Sequence, residues 1–226
     1  MSEAVRQAEH HDHPAPVARS PLALAGAPTV IDGWEYSAGP ASAPVVVADR
    51  SAMAKVQLRA TDDQSVSSAV GARFGRAAWA GSRLVIGSGP DEWLIVGPPG
   101  HASQIARELE ATVRGATSAP AVVVDLTHGR ALLRLSGPQT MALLGRVTAV
   151  DLDDRLVPNG SALRTSVARV VTDLVRDDCE GQPSFLLHCE RSSGRYLQQS
   201  LLAAGSGLGA VAGASGPAWP DHAATS

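Results

Sequence analysis

Apolar runs in this chain are short, bounded by turn residues, and ordered so that two strand-like runs are followed each time by one helical segment. That order constrains the fold most: runs joined by tight turns predict antiparallel neighbours, and one amphipathic helix per pair covers a sheet face. Arg83–Gly87 (RLVIG) and Glu92–Gly97 (EWLIVG) flank Ser88–Asp91 (SGPD), which predicts a β-hairpin. In the following HASQIARELEATVRG, Ala102, Ile105, Ala106, Leu109 and Val113 recur at helical spacing, with Ser103 as cap or in the first turn. AVVVDLTHGRALLRLSG predicts a second strand pair, with Val122, Val124 and Leu126 on one face. Across His128–Gly129, Ala131, Leu133 and Leu135 share the face of its partner. Pro138 suits a first helical turn, Ser136 is the candidate cap, and Met141, Leu144 and Val147 continue the helix. Leu163–Val175 and Ser184–Glu190 form the third pair, and a helix from about Ser193 buries Leu197, Leu201 and Ala204.

The expected class is therefore α+β: two similar subdomains of antiparallel sheet, each with helices packed on one face. Residues 1–18 carry charge, histidines and prolines without apolar period and read as a disordered tail. The first subdomain is expected over 19–118, opening with an N-terminal arm whose Pro21, Leu22 and Leu24 suit docking on a partner. The second spans 119–205, with the boundary near Thr117–Ala119, and the Gly/Ala/Ser-rich 206–226 reads as a flexible C-terminal tail.

Composition excludes several functions. Lys+Arg number 19 against 22 Asp+Glu, a net charge of −3, so no basic field holds nucleic acid or an anionic membrane. Lys55 is the one lysine, which makes Schiff-base chemistry a poor expectation. Two cysteines, Cys179 and Cys189, make neither a disulfide framework nor a four-cysteine zinc site. No signal peptide and no membrane-length apolar stretch is read, so the expected location is cytoplasmic.

Each candidate motif has a simpler structural reading. His10, His11, Asp12 and His13 offer metal donors, but on a tail without fixed geometry. Gly207–Ala212 fits GxGxxA, yet no βαβ unit fits around it, and no Walker A motif occurs. Asp125, His128 and Ser136 contain triad residue types without a nucleophile elbow. Asp151, Asp153 and Asp154 lack the spaced ligands of a calcium loop. His188 and Cys189 are adjacent in a strand and point to opposite faces, with Cys189 beside Phe185 and Leu187 in the core. No catalytic, cofactor-binding or metal-binding residue is assigned on this basis.

Five segments carry a resemblance across residues 19–204: RSPLA (Arg19–Ala23), GPDEWLIV (Gly89–Val96), VVDLTHGRALLRLSGP (Val123–Pro138), AVDLDDRLVPNG (Ala149–Gly160) and FLLHCERSSGRYLQQSL (Phe185–Leu201). In this order they resemble the γ subunits of heterotetrameric sarcosine oxidases, with His128 standing where a small polar residue is more usual. The resemblance implies a fold akin to the folate-binding domain of the glycine-cleavage T-protein family. It implies α, β and δ partner subunits and a complex that oxidatively demethylates sarcosine to glycine with hydrogen peroxide. With tetrahydrofolate, the one-carbon unit leaves as 5,10-methylenetetrahydrofolate. FAD, FMN, NAD and tetrahydrofolate are then held by the partners, and this accessory chain binds none. The competing expectation is a free-standing folate-binding protein or aminomethyltransferase-like enzyme, for which Glu92, Asp125 and Trp93 are the nominated pterin-site combination.

Overall fold

The computed structural model describes residues 16–61, 64–179 and 181–216. A small ribbon comes first: β1 (Pro28–Ile31) and β2 (Trp34–Ser37) pair around Asp32-Gly33, both at positive φ, the geometry that Asp-Gly favours in a two-residue hairpin. Then follow β3 (Val45–Asp49), β4 (Ala54–Ala60), α1 (Ser65–Val70), β5 (Ala77–Ala80), β6 (Arg83–Gly89), β7 (Glu92–Gly97), α2 (Ala102–Ala116) and β8 (Ala121–Asp125). The second half holds β9 (Arg130–Ser136), α3 (Thr140–Val147), β10 (Ala162–Val167), β11 (Val170–Arg176), β12 (Ser184–Glu190), α4 (Gly194–Gly205) and β13 (Ala210–Ala212).

These strands form a five-stranded antiparallel sheet ordered β5-β6-β7-β4-β8 and a six-stranded sheet ordered β10-β11-β12-β9-β3-β13. Among these described strands, only β13 runs parallel to its neighbour. The sheets face each other, and each carries its helices on its outer face. Trp93 and Ile95 of β7 pack with Ile105, Leu109 and Val113 of α2, whereas Leu94 and Val96 meet Leu132, Val175 and Leu186 of the other sheet. On the far side, Leu133, Phe185 and Leu187 pack against Leu143, Leu197 and Leu201 of α3 and α4. Both faces of the central strands are thus covered, which is why EWLIVG and SFLLHC are apolar without alternation. The α+β class with helices on one face of each sheet holds.

The structure corrects several local expectations. β8 and β9 are not a hairpin: β8 pairs with β4, β9 with β12 and β3, and residues 126–129 carry the chain between sheets. Val122 and Val124 are exposed, because on edge strand β8 they alternate with Val123, which packs on the α2 side, onto the opposite face. Leu163–Val175 is not one strand but the β10–β11 hairpin, turning at Ala168-Arg169 with φ of 47° and 68°. Ser136 ends β9 and does not cap α3, whose first residue is Thr140.

The subdomains also interleave in sequence. β3 precedes the five-stranded sheet but pairs in the six-stranded one, while β8 lies beyond Thr117–Ala119 yet stays in the first sheet. Residues 210–212, expected in a flexible tail, add β13 alongside β3. The arm packs on its own chain: Leu22 is buried in the core beneath α4, and Ala23 exchanges two hydrogen bonds with Gln198, at 2.8 and 2.9 Å. Gly194 permits this approach, since a Cβ there would lie 2.7 Å from Ala131 and 3.1 Å from Leu22. Of the expected N-terminal tail, residues 1–15 lie outside the described residues, while Ala18 bonds to Gly33 and Glu35. Among the described residues, no helix is long and apolar enough to cross a membrane.

Candidate functional site: a polar cleft between the sheets

The layer between the sheets is apolar at one end and polar at the other. β4 shows why: Val56 and Leu58 turn to the helices, and Gln57 and Arg59 alternate with them onto the other face. With Glu92 of β7, Arg130 of β9, Arg164 of β10, Val171 and Asp173 of β11, and His188 and Glu190 of β12, they line a cleft of about 330 Å³.

Glu92 is its hub. Arg59 donates to its Oε2 through Nε and Nη2 at 2.9 and 2.5 Å, while Arg164 Nη2 and Ser88 Oγ donate to its Oε1 at 2.5 and 3.0 Å. Burial alone would raise the Glu92 carboxyl, but Arg164, Arg59 and Ser88 outweigh it and hold it below the ordinary range. Arg164 continues to Asp173 at 2.7 Å, and His188 Nδ1 lies 3.1 Å from Asp173 Oδ2. Asp173 is likewise lowered despite its burial, by His188 and Arg164. Burial dominates at His188 and lowers its pKa although Asp173 opposes this, so at neutral pH the imidazole is uncharged. Arg130 pairs with Glu190 across β9 and β12.

Two further polar features lie outside the cleft lining. Lys55, next along β4, is fully buried, and its Nζ donates to the carbonyls of Ser51 and Met53 at 2.6 and 2.9 Å. Burial lowers its pKa to about 7. Elsewhere Arg134 donates to Asp177 Oδ2 and Ser184 Oγ at 2.5 and 2.9 Å, and Trp79 Nε1 reaches from β5 to Asp177 Oδ1 at 2.8 Å. Trp79–Asp177 and Glu92–Arg164 thus each tie one sheet to the other.

The sequence candidates are scattered. Asp125 Oδ1 accepts from the Thr127 amide at 2.8 Å in a local turn, and His128 stacks on Trp34 at a centroid distance of 4.9 Å and 7°. Neither contact is to Ser136, so no triad is assembled. Glu92 faces the cleft, Trp93 points into the helix-side core with Nε1 on the Ala72 carbonyl at 2.7 Å, and Asp125 closes its own turn. The nominated pterin combination does not converge. Cys189 lies in the core, where burial pushes its thiol up to about 11. Asp153 pairs with Arg155 and Asp154 with Arg176. Gly207–Gly209 turns into β13 with no helix after it among the described residues. Among those residues, no group of three or more His, Cys, Asp and Glu is arranged to hold a metal ion. His10, His11, Asp12 and His13 lie outside them.

Sequence reasoning missed the cleft. Its readable signal was the alternation of Lys55, Gln57 and Arg59 with Val56 and Leu58, which marks a strand with one polar face. The pairing of Asp173 with His188 is set by strand register and has no local signature.

Comparison with known proteins supplies the family. The chain is 35% identical over 107 residues to the sarcosine oxidase subunit gamma of an Arthrobacter species, a stretch covering 47% of each protein. It is 34% identical over 86 residues to that of Corynebacterium sp. (strain P-1), covering 38% of this chain and 40% of the relative. The chain thus spans about half or less of the length of these curated relatives. A chain of the heterotetrameric sarcosine oxidase from Corynebacterium sp. U-96, solved with pyrrole 2-carboxylate, superposes with a TM-score of 0.62 at 25% identity, over 76% of this chain and 90% of that one. The glycine cleavage system aminomethyltransferase T from Bartonella henselae shares the fold, with a TM-score of 0.65 at 16% identity over 84% of this chain and 56% of that one. The family model described as the GCVT N-terminal domain matches residues 82–216. By that match, more than half of its length, the chain belongs to the GCVT N-terminal domain family.

Proposed function

We propose that this chain is a non-catalytic, γ-type accessory subunit of a heterotetrameric sarcosine oxidase in the cytoplasm, assembled with α, β and δ subunits. In that role it supports oxidative demethylation of sarcosine to glycine and hydrogen peroxide, with 5,10-methylenetetrahydrofolate formed when tetrahydrofolate is present. FAD, FMN, NAD and tetrahydrofolate belong to the partner subunits. The observation that carries this reading is the match to nine-tenths of a chain from such a complex, at 25% identity and with the fold retained. The curated relatives named subunit gamma point the same way.

The site geometry supports the non-catalytic part. The buried imidazole, His188, is engaged by Asp173, while the neighbouring Cys189 is on the opposite face with a thiol too basic to ionise near neutrality. Base and nucleophile therefore cannot cooperate. Co-expression with α, β and δ subunits tests the reading. A yellow complex of fixed stoichiometry containing this chain, with sarcosine-dependent peroxide release that the isolated chain lacks, is the expected result. A monodisperse monomer that stays out of the complex and binds tetrahydrofolate in calorimetry would favour the free-standing folate protein instead.

A further inference from the structure

The inter-sheet cleft has more hydrogen-bond donors than its own acceptors use. Glu92 and Asp173 have every carboxylate oxygen engaged, and Glu190 has one oxygen on Arg130. Against them stand three guanidiniums with five N–H groups each. Arg59 spends Nε and Nη2 on Glu92, and Arg164 spends Nε and Nη2 on Asp173 and Glu92. Arg130 is held through Nη1. The Gln57 amide lines the same space. A second observation is independent of these: His188, 5% exposed and lining the cleft, has a buried Nε2 with no hydrogen-bond partner among the described residues. Unsatisfied buried polar atoms are rare and call for a ligand, a water or a functional reason.

We infer that the cleft between the two sheets is a binding site for a small free carboxylate anion, seated among Arg59, Arg130, Gln57 and His188. A donor surplus selects an acceptor, and planar guanidiniums match a carboxylate. Charge selects the size of the anion. Arg59, Arg130 and Arg164 are already balanced by Glu92, Asp173 and Glu190, so a multiply charged phosphate meets three carboxylates with no net positive field to offset them. A monoanion is accommodated when His188 gains one proton: Nδ1 stays on Asp173 while Nε2 becomes a donor to the ligand. The charged groups around His188 are Asp173 of β11, Arg130 of β9, Lys55 of β4 and Glu190 of its own strand, with Arg59 of β4, Glu92 of β7 and Arg164 of β10 lining the same cleft. Of these only the carboxylates favour its protonation, so the incoming anion supplies the attraction that drives proton uptake.

The test uses the full-length chain and its α–δ complex, titrated with acetate and with phosphate, against chloride at matched ionic strength. Acetate should raise the melting temperature and bind in calorimetry with uptake of about one proton, read from buffers of different ionisation enthalpy. Arg130→Gln and Gln57→Leu should each weaken acetate at least tenfold while the unliganded melting temperature falls by no more than a few degrees. Exposed Arg155, paired with Asp153, is the control position, and Arg155→Gln should leave affinity unchanged. No acetate effect beyond that of chloride overturns the inference, as does binding insensitive to the Arg130 and Gln57 variants. Phosphate binding tighter than acetate overturns the monoanion assignment. Binding by the isolated chain that vanishes in the complex shows instead that a partner's carboxylate occupies the cleft, and likewise overturns a free ligand. Failure to assemble with α, β and δ bears only on the proposed function.

Discussion

Replacing Lys55 by methionine should stabilise this chain at neutral pH and destabilise it in alkali. Burial lowers the ammonium from 10.5 to about 7, which corresponds to about 5 kcal/mol against the charged form at about 1.4 kcal/mol per pH unit. Below pH 7 the amine is protonated whether folded or unfolded, and the folded chain carries the full penalty. Between about 7 and 10.5 the unfolded chain holds a proton that the folded chain has released, so the stability of the wild type rises with pH. Methionine is similar in shape and removes the penalty, but leaves the Ser51 and Met53 carbonyls without their donor. At about 1–3 kcal/mol of lost hydrogen bonding and desolvation for the pair, Lys55→Met should be more stable by about 2–4 kcal/mol at pH 6. By pH 9.5 the advantage should vanish or change sign. Urea denaturation at a series of pH values, followed by tryptophan fluorescence, measures the difference directly. A stability difference that stays flat from pH 6 to pH 9.5 would refute the reasoning, since it would mean that the amine does not titrate within the fold.

Trp93 is 2% exposed with its indole nitrogen on the Ala72 carbonyl, and Trp93→Ala should cost about 3–5 kcal/mol in equilibrium denaturation. Leu22 sits in the core beneath α4, so Leu22→Ala should lower the stability of the isolated chain by about 2–4 kcal/mol, whereas removing residues 1–15 should not. The Ala168-Arg169 turn forces two non-glycine residues to positive φ. Ala168→Asn combined with Arg169→Gly should raise stability by about 1 kcal/mol, visible as a higher urea midpoint at unchanged slope.

The fold was legible where local chemistry and tertiary environment agree. SGPD between two apolar runs formed the β6–β7 hairpin, and the period of Ile105, Leu109 and Val113 buried one face of α2. The Asp32-Gly33 pair between TVI and WEY was an equally readable hairpin signal, and went unread. Other features have no local signature. Ala168-Arg169 carries none of the usual turn residues; the strands on either side, paired over six positions, impose that turn. The apolar runs of β8 and β9 are close enough to suggest a hairpin, but their three pairing partners, β4, β12 and β3, lie far away in sequence. The cleft was hidden for the same reason, because its residues come from six strands and meet only when the sheets face each other.

That arrangement separates what holds the molecule together from what it presents to a ligand. Leu84, Ile86, Leu94 and Val96 against Leu132, Val175 and Leu186 fill the apolar half of the inter-sheet layer, each worth about 1.5–3 kcal/mol on full burial. The polar half contributes far less net stability, since desolvating Glu92, Asp173 and His188 consumes much of what their pairing returns. Pairing does fix alignment: Glu92 must meet both Arg59 of its own sheet and Arg164 of the other, which allows one relative placement of β7 and β10. An apolar interface alone would tolerate sliding; one carboxylate shared by two guanidiniums does not. The cleft's pairings thus align the two sheets without being the source of stability, and substitutions at its rim can change binding while the sheets remain docked.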